Sequence, residues 1–393
     1  MHRHFAFVAP PAHGHVNPTL PLVEELTRRG HRVSYATGAA LIPTVEAAGA
    51  TGVTLPMEPP PGRSAAGQIS AEHFAEMMRK QLTDARTSLP TLLTQFTADL
   101  PDAVCADMLA LAGRMLAESL DVPDVALLPS FAANERFSLH EQLLPTSFDF
   151  QHPALTEILG EMRRFTASYG LNQTQQMFPP PPASLNLVFI PERFQIAAET
   201  FDHRFRFLGP AFGSRRRSES WQPAEAESPL LYISLGTLFN DRPEFYRMCF
   251  EAFADSPWQV AISVGQSVAP SDLGEIPTNV EVRQYFPQLA VLERASVFLS
   301  HAGMNSTMES LYHGVPLVTV PQMPEQEANA RRVEELGLGR RVPDDVDAGV
   351  LRKFVDDVGA DEHIRSSVAA MRDTVRAQGG AVAGADALET SLA

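Results

Sequence analysis

The chain has 393 residues, 44% hydrophobic and 20% charged, which is ordinary for a globular protein but long for one hydrophobic core, so two domains are expected. Its net charge of −16, from 31 Lys+Arg against 47 Asp+Glu, argues against nucleic acid or an anionic membrane surface as a partner. Two cysteines, Cys105 and Cys249, exclude a disulfide framework; with no signal-peptide pattern and no apolar run near the ~20 residues of a membrane span, a reducing cytoplasm is the expected location.

Along the chain, residues 4–9 read as a strand, 18–29 as a helix closed by Gly30, and 32–36 as the next strand. A long amphipathic stretch covers 71–98, followed by strand 103–107, helix 109–120 and strand 124–128. This alternation predicts parallel βαβ units with helices on both faces of a sheet. The middle, about 130–182, reads as helical with a loop break at Pro179–Pro182, and strands resume near 185–190 and 205–208. The segment 209–228 is rich in Gly, Ser and charge and lacks apolar periodicity, which marks a boundary. It divides the chain into a first domain over 1–210, a linker over 211–228 and a second domain over 229–376. The basic run Arg215, Arg216, Arg217 reads as part of that solvated linker. Beyond it the rhythm restarts with strands at 230–234, 258–263, 279–283, 296–299 and 316–320 and helices at 243–254, 304–313 and 325–336. Three helical segments near 347–358, 361–376 and 381–392 close the chain. The expected fold is α/β: two doubly wound, Rossmann-like domains facing each other across a cleft, each binding its ligand beyond the carboxyl ends of its strands.

The most informative stretch is Ser300-His301-Ala302-Gly303-Met304-Asn305-Ser306-Thr307-Met308-Glu309, which follows a strand and opens a helix. Gly303 lets backbone approach a ligand, and Asn305 and Ser306 lie in a first turn whose amides and dipole favour an anion. His301 adds a donor from the strand end, and Glu309, farther along the same face, suits the two hydroxyls of a ribose. A second turn, Ser234-Leu235-Gly236-Thr237, offers another hydroxyl and more amides to a pyrophosphate. Neither turn matches G-x-G-x-x-G, and no Walker-type loop is present.

With these motifs in place, the sequence resembles the inverting family-1 glycosyltransferases of the GT-B fold, among them the bacterial macrolide- and flavonoid-modifying enzymes. The likeness spans the chain and is strongest over Val280 to Leu338 and Pro10 to Thr37. It implies a UDP-sugar as donor substrate rather than a cofactor. In Gln284-Tyr285-Phe286-Pro287-Gln288, Tyr285 falls where many relatives stack a Trp on uracil, with Phe286 in the same donor-binding segment and Gln288 near the nucleoside. Glu309 would hold the ribose, and His301, Asn305, Ser306 and Thr237 the phosphates. Glu325-Gln326 stands where relatives have Asp-Gln reading the sugar hydroxyls, which favours glucose over deoxysugars. The resemblance also implies that the last segment, 377–393, crosses back to the first domain.

On the acceptor side, Ala9 to Pro18 follows the first strand, with Asn17 expected as an N-cap and Pro18 as a first helical residue. His15 would then sit ahead of a helix N-terminus that disfavours imidazolium, leaving a neutral base for an acceptor hydroxyl. Asp107 ends a neighbouring strand and can fix the tautomer of that ring. On position alone a loop histidine and a strand-end cap stay open as readings; the resemblance places His15 and Asp107 at the family's base and its partner. His13 is expected to be structural, and no third ligand joins the His-x-His pairs to make a metal site. Residues 56–82, with Phe74, Met77 and Met78, and 129–150, with Phe131, Phe137, Leu139 and Phe148, read either as walls for a small apolar acceptor (a flavonoid, a macrolide or another polyketide) or as core. Three rivals stand beside this one: a dTDP-deoxysugar transferase of antibiotic assembly, a nucleotide-sugar epimerase or hydrolase on the same fold, and a non-catalytic helper subunit, which would lack the His15–Asp107 pair.

Overall fold

A computed structural model describes residues 2–59, 70–171, 181–214, 220–225, 227–237 and 239–393. The run Arg215–Arg217, the prolines Pro179 and Pro180 and part of the 56–82 segment lie outside the described residues. The described residues divide into two compact units: the first holds those up to Gly213 together with Gln378–Ala393, the second those within Ser214–Ala377.

The first unit is built on a seven-stranded parallel sheet: β1 (His4–Val8), β2 (Arg32–Gly38), β3 (Thr51–Leu55), β4 (Ala103–Asp107), β5 (Asp124–Leu128), β6 (Leu185–Val188) and β7 (Phe205–Phe207). They lie in the order β3-β2-β1-β4-β5-β6-β7. The central strands are buried along their length, as HFAFV and AVCAD are, because helices cover both faces. The helix Ala71–Ala98 is capped by Ser70, whose hydroxyl accepts the His73 amide at 3.2 Å. It lays Leu82, Ala85, Leu89, Leu92 and Phe96 into the core at helical spacing. The segment 129–152 holds only the short helix Leu139–Leu143, so among the described residues the expected helical middle reduces to that helix and Pro153–Ser168. The last helix, Gly380–Ser391, belongs to this first unit. It buries Ala385 and Leu388 and sets Gly384 against Leu22 and Leu208, while Arg29 bonds Asp386 at 2.6 Å and Glu389 at 2.8 Å.

The second unit holds a six-stranded parallel sheet of β8 (Leu230–Ser234), β9 (Gln259–Ser263), β10 (Val280–Arg283), β11 (Val297–Ser300), β12 (Leu317–Thr319) and β13 (Gly339–Arg341), ordered β10-β9-β8-β11-β12-β13. Cys105 and Cys249 are both buried and free, one in each unit. In each sheet the strand order reverses once, between β1 and β4 in the first and between β8 and β11 in the second. Connections leave such a switch point toward opposite faces, so the carboxyl ends of those two strands stay uncovered for a ligand. The candidate residues gather at these two places.

Candidate active site

In the first unit, β1 and β4 are neighbours, with Phe7 opposite Cys105 and Val8 opposite Ala106. Asp107 ends β4 with its side chain fully buried, and its Oδ2 lies 2.9 Å from His15 Nδ1, a ring that is 24% exposed. The other carboxylate oxygen, Oδ1, accepts the Leu109 amide at 2.9 Å, which fixes the carboxyl plane. An ionised carboxylate only accepts, so Nδ1 carries the ring proton and Nε2 is the basic nitrogen. A buried, doubly held acceptor behind a partly exposed imidazole is the arrangement that a base and its orienter require.

The route by which His15 reaches this place differs from the expected one. His13–Val16 forms a single helical turn with Ala12 at its head, and Asn17 ends that turn in the helical region rather than capping a new one. The longer helix is Leu20–Arg28, with Thr19 at its N-cap. Pro18 has no amide hydrogen and breaks the ladder between the two. His15 therefore stands inside a short turn, and the expected influence of a long helix's N-terminus does not apply; the Asp107 carboxylate on Nδ1 is what sets its tautomer. His13 is exposed on the same turn.

The acceptor-wall candidates are mostly core. Phe74, Met78, Phe131, Phe137 and Leu139 are buried, whereas Met77 and Phe150 are exposed, and Phe148 packs edge-on against both Phe74 and Phe150.

In the second unit, β8 and β11 run side by side with Ser234 opposite Ser300, so the turns after them start in register. The His301 ring fills the space between the two turns. A Cβ on Gly236 would come within 2.6 Å of the ring, and one on Gly303 would collide with Nε2. Glycine is required at both positions for that close approach. Burial pushes the His301 pKa down to about 4, against an opposing pull from the Ser234 backbone, so the ring is neutral near pH 7. It can donate one N–H to a phosphate but brings no positive charge of its own. Gly303 heads the helix Met304–His313, which has no side-chain cap; its first internal bond runs from Thr307 to Gly303 at 2.9 Å. Asn305 and Ser306 occupy its first turn, where backbone amides and the dipole meet an anion.

Gln288, Ser306 and Glu309 form one network: Gln288 Nε2 donates to Glu309 Oε2 at 2.6 Å and to Ser306 Oγ at 3.2 Å, while the Tyr232 hydroxyl donates to Gln288 Oε1 at 3.3 Å. Tyr232 went unnoticed in the sequence because it reads as strand core. Tyr285 is 67% exposed beyond β10, a flat surface open to a base. Phe286 is wholly buried, edge-on to Trp221 at 5.9 Å and Tyr232 at 6.2 Å, so its side chain supports the segment from below. Glu325 is exposed at the start of the helix Pro324–Glu335. Gln326 is buried, and its Oε1 accepts the Gln322 amide at 2.8 Å, which commits one lone pair of the carbonyl to folding its own loop. That loop adjoins the first turn through Gln322 Nε2 and the Leu235 carbonyl, 3.5 Å apart. Thr237 is exposed at the tip of that turn. Among the described residues no three His, Cys, Asp or Glu side chains gather as a metal site requires, and no helix is long and apolar enough to cross a membrane.

Two parallel-sheet, Rossmann-like units, with glycine turns at one switch point and a carboxylate-held imidazole at the other, are the architecture of the GT-B glycosyltransferases. Residues 214–345 match the profile of the UDP-glucoronosyl and UDP-glucosyl transferases. The chain is 41% identical to the NDP-glycosyltransferase YjiC of Bacillus subtilis (strain 168), over 99% of this chain and 97% of that one. It is 36% identical to the demethyllactenocin mycarosyltransferase of Streptomyces fradiae, over 99% and 86%. Among solved structures, the calicheamicin glycosyltransferase CalG4 superposes with a TM-score of 0.86 at 34% identity, over 100% of this chain and 98% of that one. The chain belongs to the bacterial family-1 glycosyltransferases, which move sugar from a nucleotide-sugar donor to a small acceptor.

Proposed function

We propose that the protein transfers glucose from UDP-glucose to a hydroxyl of a small apolar natural product, with inversion at the anomeric carbon and without a metal. The observation that carries this reading is the 2.9 Å contact between His15 Nδ1 and the buried Asp107 carboxylate, which leaves Nε2 to take a proton. As the acceptor oxygen bonds to the anomeric carbon, its hydrogen passes to His15 Nε2 and the imidazolium is held by Asp107. The bond from that carbon to the diphosphate breaks on the opposite face, UDP departs with the electron pair, and an α-linked donor gives a β-glycoside. Charge growing on the diphosphate is met by the helix end at Gly303–Ser306, the neutral His301 donor and the hydroxyls of Thr237 and Ser306. The nucleoside would rest on Tyr285, and Gln288 and Glu309 would face it and its ribose. Relatives named for mycarosyl transfer and for calicheamicin support a natural-product acceptor.

A second reading, a dTDP-deoxysugar donor, draws on the tie between Gln326 Oε1 and the Gln322 amide, which occupies one of the two lone pairs that a hydroxyl-rich hexose would use. Competition between UDP-glucose and a dTDP-deoxysugar for one flavonoid acceptor, read by product mass, separates the two. A glucoside product supports the first reading, and a deoxysugar product overturns it. UDP-glucose consumed in the absence of acceptor would point to a hydrolase or epimerase instead.

A further inference from the structure

The two turns of the second unit are the same device built twice. In Ser234-Leu235-Gly236-Thr237 the Ser234 hydroxyl accepts the Gly236 amide at 3.3 Å; in Ser300-His301-Ala302-Gly303 the Ser300 hydroxyl accepts the Ala302 amide at 3.2 Å. The third residue of each turn has a left-handed backbone, with φ of +79° at Gly236 and +59° at Ala302. Glycine adopts this freely; alanine does so at a cost of about 1 kcal/mol or more, so something must hold it there. In each turn a buried asparagine grips the carbonyl of that third residue: Asn240 Nδ2 donates to Gly236 O at 2.8 Å, and Asn329 Nδ2 donates to Ala302 O at 2.8 Å. Both asparagines are almost wholly buried. Their amide orientation follows from the contact itself, since a flipped amide would set oxygen against oxygen.

The C=O and N–H of a trans peptide point in opposite directions. A carbonyl held inward by a buried asparagine therefore aims the next residue's N–H outward, at Thr237 in one turn and Gly303 in the other. Neither amide meets an acceptor among the described residues. The Asn240 side chain has its own prepared seat: Gly265, at φ +74°, lies so close to its Nδ2 that any side chain there would collide with it.

We propose that Asn240 and Asn329 are paired positioning residues for the donor diphosphate, each locking one peptide plane so that the Thr237 and Gly303 amides form a preorganised two-armed anion clamp. Fixed donors need no reorganisation when charge arrives, which is where their advantage lies. The proposal rests on the donor-site reading above and adds to it two residues that touch no ligand.

The test is calorimetric titration of UDP and of uridine into the wild-type protein and into Asn240→Ala, Asn329→Ala and Gly265→Ala. Hydrogen bonds to charged groups have a strength that converts to roughly 10- to 100-fold in affinity. UDP binding is expected to weaken by that factor in all three variants, with uridine binding within about two-fold of wild type. Intact uridine binding certifies the fold of each variant, and equal loss of both ligands, or UDP affinity unchanged, overturns the proposal. In the wild-type protein the Thr237 and Gly303 amide resonances should move downfield with UDP and stay in place with uridine; amides indifferent to the diphosphate contradict the clamp. Wild type binding UDP no better than uridine would sink the donor-site reading itself, and this inference with it.

Discussion

Replacing Asp107 by asparagine changes one atom's chemistry and almost nothing in shape, and the structure dictates how the amide must settle. Asp107 Oδ1 accepts the Leu109 amide at 2.9 Å, a position only an oxygen can fill. The new NH₂ group must then face His15 Nδ1, 2.9 Å away, which turns that nitrogen into an acceptor and moves the ring proton to Nε2. The imidazole keeps its place but presents a proton where the acceptor hydroxyl needs a lone pair. Loss of a general base costs about 10²–10⁴ in rate, or about 2.7–5.5 kcal/mol of barrier. Asp107→Asn should therefore lose that factor in kcat, as should His15→Ala, and the double variant should be no slower than either alone. UDP release and glycoside formation followed together with a flavonoid acceptor give the rate, and thermal unfolding reports the fold. A variant within a few-fold of wild type, or a double variant slower by the product of the two single effects, would refute the base–orienter assignment.

Gly303→Ala would drive a methyl group into the His301 ring and should raise the donor KM by about ten-fold or more, with acceptor KM unchanged in initial-rate measurements. Phe286→Ala should destabilise by about 3–5 kcal/mol in urea unfolding, since it empties a site packed by Trp221 and Tyr232. Tyr285→Ala, on an exposed ring, should leave stability within about 0.5 kcal/mol and weaken uridine binding roughly ten-fold; the reverse pattern would exchange their roles. The His301 pKa near 4 lies below the usual 6.5, so between those values the unfolded chain binds the extra proton. Stability should be insensitive to this ring above pH 6.5 and fall by up to about 1.4 kcal/mol per unit as pH drops toward 4. An NMR titration in which the His301 ring protonates above pH 6 would contradict its buried state.

Much of this architecture can be read in the residues because parallel strands buried on both faces are runs of apolar side chains closed by glycine turns. Strands over 103–107, 124–128 and 230–234 and helices over 71–98 and 304–313 coincide with the structure. Two edge strands escaped notice. Thr51–Leu55 contains a glycine and is only half-buried, and Gly339–Arg341 is three residues long with two arginines, so neither shows the apolar run that marks a central strand. The site residues stand out where a motif follows a strand end, as His15, His301 and Ser306 do. Tertiary commitments are another matter. That Phe286 faces inward and that Gln326 spends its carbonyl on the Gln322 amide depend on neighbours distant in sequence. Asn329 carried a detectable signal, a polar residue on the buried stripe of Gln326, Ala330 and Val333, whereas Asn240 sits in an irregular loop with no periodicity to betray it.

The stereochemistry of the product tests the central claim most directly. Incubation with UDP-α-glucose and a phenolic acceptor, followed by proton NMR of the isolated product, should show a β-linked glucoside from the wild-type protein and almost none from His15→Ala. An α-linked glucoside, or a β-glucoside formed equally well by His15→Ala, would contradict single displacement driven by the His15–Asp107 pair.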